Sequence, residues 1–141
     1  MRNDDPVLVQ VERLSRNPGD ARLVTVRSSV GSVSASWCGN LEAAAGEHHI
    51  EWELDEEFRW GFNCSPATVE EPCLHQDERG VFSRGRLGLT GFESEEPFAH
   101  LELAGAVIDL GHIDGLPHGM AGTWVEINLR PEQIKIYPYR I

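Results

Sequence analysis

The chain has 141 residues, 40% of them apolar and 25% charged, and a formal net charge of −11. Those values exclude wholesale disorder, and the length suffices for a single domain, residues 1–141, with a core of its own. The negative charge argues against nucleic acid and anionic membranes as partners, and no apolar run approaches the roughly twenty residues of a membrane span.

Residues 1–5 are polar and read as a frayed end. From Pro6 to Leu14, Val7, Val9 and Val11 alternate with polar residues, which is the period of a strand with one buried face. Ser15 to Asp20 contains Pro18-Gly19 and reads as a turn. Ala21 to Ser28, with Val24 and Val26 inward, completes an antiparallel hairpin. Val30 to Trp37 alternates again, with Val33, Ala35 and Trp37 on one side and serines on the other. Leu41 to Ala45 is the one local helix candidate, with Asn40 to cap it and Gly46 to end it.

The stretch from His49 to Phe62 organises the rest. Ile50, Trp52, Leu54, Glu56, Phe58, Trp60 and Phe62 fall on one side of an extended chain. Glu51, Glu53, Asp55, Glu57 and Arg59 fall on the other. The spacing predicts one long bent strand, or two strands meeting near Asp55-Glu56-Glu57, with an apolar face in the core and a row of carboxylates in water. Asn63 to Gly80, with Pro66 and Pro72, reads as a long loop. Val81 to Leu89 is a strand in which Gly85 and Gly88 leave room for a bulge. Gly91 to Pro97 is an acidic turn. Phe98 to Leu103 and Ala106 to Leu110 form a hairpin about Ala104-Gly105. Gly111 to Gly122 reads as loop. Thr123 to Leu129, a turn at Arg130-Pro131-Glu132, and Gln133 to Tyr139 close the chain.

Short strands, Gly-rich turns and at most one short helix predict an all-β protein: an antiparallel β-barrel, OB-like, or a sandwich. The run Asn128-Leu129-Arg130-Pro131-Glu132-Gln133-Ile134 resembles the tail of the transport-associated OB-type domains that follow ATPase domains in import systems. Over those few residues the resemblance implies a barrel topology and nothing about transport. The phosphate-binding Gly-Lys-Ser/Thr loop of the ATPase domains is absent from the sequence.

Four groups of residues have chemistry to weigh. In the row Glu51, Glu53, Asp55, Glu57, alternate carboxylates lie about 6.5–7 Å apart. Acid–base catalysis needs one carboxyl shielded enough to keep its proton, and an open row shields none; a flat row also does not converge on a cation. A solvated face that docks a basic protein partner fits it better. Cys64, Cys73 and His75 are soft metal ligands on one stretch, with Cys38 or a histidine as a possible fourth, but they lack the paired Cys-x₂-Cys spacing of zinc sites. A Cys/His nucleophile would need a helix start to lower the thiol pKa, and no such helix is evident. Asp109, His112, Asp114 and His118 cluster on a Gly-rich loop without a motif spacing, His48-His49 sits beside the acidic row as a neutralising pair, and His100 reads as a surface residue. Arg79, Arg84 and Arg86 with Phe82 form a basic-aromatic group whose arginines are expected to pair with the acidic middle of the chain, where residues 40–80 carry eleven acidic side chains against two basic.

Three cysteines and no apolar leader fit a reducing cytoplasm rather than a disulfide framework. The sequence therefore predicts a cytoplasmic, non-enzymatic protein-binding module of the inhibitor, immunity or accessory-subunit kind, with no cofactor. A metal-dependent enzyme or metal-binding protein on the Cys/His stretches, and a structural homo-oligomer, are the alternatives.

Overall fold

The computed structural model describes residues 7–13, 22–91 and 97–139. The frayed end at residues 1–5 and the turn at Ser15 to Asp20 lie outside the described residues, as does most of the acidic turn after Gly91.

Five strands close a barrel: β1 (Val7–Arg13), β2 (Leu23–Ser28), β3 (Gly31–Trp37), β4 (Gly46–Leu54) and, from the far end of the chain, β13 (Ile134–Pro138). Their order around the barrel is β1-β2-β3-β13-β4, with β4 returning to β1. The first three form an antiparallel meander in which Val11 faces Val26 and Val26 faces Val33. β13 runs antiparallel to β4 from Leu54 to Ile50. It meets β3 in parallel, only at Ser36 and Trp37. Of the two architectures open from sequence, the barrel is the one formed.

Branched residues on the inward positions explain the closure: Val9, Val11, Val24, Val26, Val33, Ile50, Ile134 and Ile136 are all buried, as a pleated surface with one dry face requires. Trp37 fills the remaining volume. Its ring lies 4.9 Å from that of His48, and its Nε1 donates to the Asn40 carbonyl at 3.0 Å. After Trp37, Leu41–Ala43 form a single 3-10 turn, the one short helical piece expected there. Asn40 caps it, accepting from the Glu42 N–H at 3.0 Å.

Everything between β4 and β13 builds a second layer: β5 (Phe58–Arg59), β6 (Cys64–Pro66), β7 (Cys73–Asp77), β8 (Gly80–Thr90), β9 (Phe98–Leu103), β10 (Ala106–Gly111), β11 (Ile113–Asp114) and β12 (Trp124–Leu129). One sheet has the order β10-β9-β8-β12-β6, with β7 also paired to β8. β5 and β11 form a short parallel pair. The buried residues of sheet and barrel belong to one core. β7 locks the two layers together where the barrel seam is weakest. The Leu74 N–H donates to the Val30 carbonyl at 3.0 Å, and the Gln76 side chain accepts from the Ser34 N–H, on a β3 that pairs with β13 only at Ser36 and Trp37. Among the described residues no helix is long and apolar enough to cross a membrane.

Four local expectations change. The stretch from Asn63 to Gly80 is not one loop, because β6 and β7 lie within it. Each offers a single strongly buried side chain, Cys64 and Leu74, so neither shows apolar alternation. The 111–122 loop likewise holds β11. Gly85 and Gly88 make no bulge in β8, whose pairing with β9 and β12 keeps its register. A side chain at Gly88 would strike the His100 ring, and one at Gly85 the Glu102 carbonyl, so these glycines permit close approach. His100 accordingly lies half-buried over Gly88 instead of on the open surface.

Candidate functional site

β4 and the segment that follows it present their carboxylates as the alternation requires. Glu51, Glu53, Asp55 and Glu57 are all exposed, while Ile50 is buried and Trp52, Leu54 and Glu56 are half-buried. The neighbouring β13 sets Tyr137 opposite Glu51 and Lys135 opposite Glu53. Lys135 Nζ lies 3.7 Å from Asp55, the one described ion pair made by the row. The Glu53 carboxylate beside the Tyr137 hydroxyl is the main reason the tyrosine pKa rises from 10.0 to about 12. Leu8 on β1 stands opposite His49, exposed at 48%. Tyr139, exposed at 41%, donates its N–H to the His49 carbonyl. Only one member of the histidine pair reaches this face: His49 is exposed, whereas His48 turns inward to Trp37 and bonds the Ala44 carbonyl at 2.9 Å. The result is an acidic strip edged by two tyrosines and a leucine.

Beyond Leu54 the strand breaks and is re-anchored. The Asp55 N–H donates to Gln133, Phe58 returns to the core at 2% exposure, and the Trp60 N–H donates to the Asp114 carbonyl. The alternation fails at Phe62, which is 79% exposed. Gly61, at φ 85°, reverses the chain there, and Asn63 takes the buried position. The Asn63 side chain donates to the Glu57 carbonyl at 2.9 Å and accepts from the Arg59 N–H at 2.8 Å. Its own carbonyl accepts from the Asn128 N–H at 3.0 Å. A fully bonded turn thus holds Phe62 in water next to the end of the acidic strip.

Glu56 is the residue that sequence reasoning passed over. It was the one charged side chain on the apolar side of the 50–62 pattern, which was the available signal. Its carboxylate accepts from Gln133 Nε2 at 2.8 Å and from the Glu57 N–H at 2.8 Å. These two bonds, the Gln133 one first, hold its pKa below the ordinary carboxylate value. Glu56 lines a cleft of about 880 Å³ between the β4–β5 segment and the loop after β10. The same cleft gathers Glu57, His112, Asp114 and His118, so part of the second Asp/His cluster meets one end of the acidic row. Asp109 is exposed and outside the cleft, its carboxylate accepting from the Gly111 N–H.

The soft-ligand trio is divided. Cys64 faces the core at 1% exposure, and burial raises its thiol pKa to about 11. Register carries Cys64 to Ile127, Ser83 and Leu74, whereas Cys73 aligns with Arg84 and Glu126 on the opposite face of the sheet. Three strand spacings of about 4.8 Å also separate β6 from β7. Among the described residues no three His, Cys, Asp or Glu side chains are grouped to hold a metal ion.

Cys73 and His75 instead join the arginine cluster, in a shallow depression of about 290 Å³ on the outer sheet face. His75 stacks on Phe82 with ring centroids 6.3 Å apart, and Arg79 lies 5.3 Å over the same ring. The arginines are engaged: Arg79 with Asp77 at 3.1 Å, Arg84 with Glu126 at 3.5 Å, and Arg86 with the Gly122 carbonyl at 3.4 Å. Comparison with family models, curated proteins and solved structures finds no match to this chain.

Proposed function

We propose that this chain is a cytoplasmic, non-enzymatic protein-binding module, an OB-like barrel whose acidic β4 face receives a basic partner protein. The five-strand order with one parallel contact between β3 and β13 supports the OB-like assignment. The observation that carries the docking proposal is the row Glu51, Glu53, Asp55, Glu57, exposed along β4 and the segment that follows it and met by the single lysine Lys135 among the described residues. An open strip of this kind steers an oppositely charged partner and fixes its register. Tyr137, Tyr139 and Leu8 at its margins supply the apolar and hydrogen-bonding area from which interface hot spots are made. The row lacks the enclosure that acid–base catalysis requires. Free cysteines throughout the chain accord with a reducing compartment.

The test is retention of native partners by the immobilised chain, compared with a Glu51→Gln/Glu53→Gln/Asp55→Asn variant of unchanged stability. A basic protein should be held by the wild type, lost by the variant, and released between about 0.05 and 0.5 M salt. Equal retention by both chains, or retention indifferent to salt, contradicts the proposal.

A further inference from the structure

The cleft beside β5 has a character that the docking face does not share. Its floor is apolar: Phe58, Leu110 and Ile113 are 2%, 5% and 8% exposed. Its wall is anionic, formed by Glu56, Glu57 and Asp114. Glu56 is not a mobile surface carboxylate, because the bonds from Gln133 Nε2 and the Glu57 N–H fix its position. Among the described residues Asp114 is paired only with Arg59, at 3.5 Å, in a pair exposed on both sides. His112 stacks on Phe98 with centroids 4.4 Å apart, and its Nδ1 lies 3.2 Å from the Pro97 carbonyl. A carbonyl only accepts, so Nδ1 is the donor in this bond and the ring is held in place over Phe98.

We propose that this cleft binds a small organic cation: an ammonium group attached to an apolar or aromatic body. The ammonium sits against Glu56 and Glu57, and the body covers Phe58 and Ile113. A volume of about 880 Å³ suits one molecule of drug-like size. Three wall carboxylates repel an anion of the same shape. An inorganic cation would find apolar side chains where further oxygen ligands are needed. This site shares Glu57 with the proposed docking face, but their failures are distinguishable: Glu51→Gln/Glu53→Gln removes docking charge from residues that do not line the cleft.

Titration calorimetry on the full chain tests the inference with 2-phenylethylamine, spermidine, the neutral 2-phenylethanol and the anionic 3-phenylpropionate. At least one of the two amines should bind, at least tenfold more tightly than the alcohol, and the anion should not bind. Glu56→Gln should weaken the amine about tenfold, the scale of one charge-assisted hydrogen bond. Leu116→Trp, which fills the cleft from its half-buried wall, should abolish binding. Glu51→Gln/Glu53→Gln should leave it unchanged. If thermal melting shows that Glu56→Gln does not fold, the exposed Glu57→Gln takes its place with the same expected direction. Failure of both amines to bind at millimolar concentration, equal binding of amine, alcohol and anion, or wild-type affinity in the folded carboxylate variant overturns the proposal.

Discussion

Asn63 is the position at which removing a few atoms should disturb the most. Its side chain is 7% exposed and bridges two backbone groups, the Glu57 carbonyl at 2.9 Å and the Arg59 N–H at 2.8 Å. Asn63→Ala deletes both bonds at once. Each is worth about 1 kcal/mol net, with more lost if the orphaned group stays dry. Glu57 and Arg59 are exposed residues, so water can reach part of the gap, and the expected loss is about 2 kcal/mol. Asn63→Asp keeps the acceptor for Arg59 but presents a carboxylate to the Glu57 carbonyl, so at neutral pH it should cost more than Ala. Below about pH 4 a protonated Asp can donate again, and its deficit relative to wild type should shrink as the alanine deficit does not. Urea unfolding followed by tryptophan fluorescence measures both. A loss under about 0.5 kcal/mol for Asn63→Ala, or identical pH dependence of the two variants, would refute the bridging role.

Other outcomes follow from the same packing. Gly31, at φ 141°, has no room for a side chain, since a Cβ there would collide with the Leu74 carbonyl; Gly31→Ala should cost about 2 kcal/mol or more by prying β7 from the barrel, and retained wild-type stability in urea would contradict that contact. Of the three free thiols, the half-buried Cys38 and Cys73 should react with a disulfide reagent in the native state, whereas Cys64, buried and with its pKa raised to about 11, should react only on unfolding. Tyr137 should titrate near pH 12 by absorbance at about 295 nm and move back towards 10 in Glu53→Gln. Its folded-state pKa is raised, so the associated stabilisation is complete below about pH 10 and is lost as pH rises through 12. A Tyr137 midpoint unmoved by Glu53→Gln would remove Glu53 as the cause of the shift.

The barrel was legible because its strands state their register in branched residues: Val9-x-Val11, Val24-x-Val26 and Ile134-x-Ile136 each bury every second side chain. β9, β10 and β12 follow the same rule. β6 and β7 escaped because Cys-Ser-Pro and Cys-Leu-His-Gln-Asp carry too few apolar residues to show a period, and their burial comes from neighbours remote in sequence. The exposure of Glu51, Glu53, Asp55 and Glu57 could be read from parity alone, as could the burial of Ile50 and Phe58. The same parity misassigned Phe62, because it cannot register a reversal at Gly61. Nor could it show that Glu56 faces a loop beginning some fifty residues later, or that Cys64 and Cys73 occupy opposite faces of a sheet. Those relations depend on strand order, which local pattern does not encode.

The docking proposal is tested most directly by the association rate of the captured basic partner, measured against ionic strength for the wild type and for Glu51→Gln/Glu53→Gln/Asp55→Asn. With an acidic strip steering the encounter, the wild-type rate should fall about tenfold or more as salt rises to about 0.5 M, and the variant should start slow and stay nearly flat. Two coincident curves would mean that the carboxylates of β4 do not bring this protein to its partner.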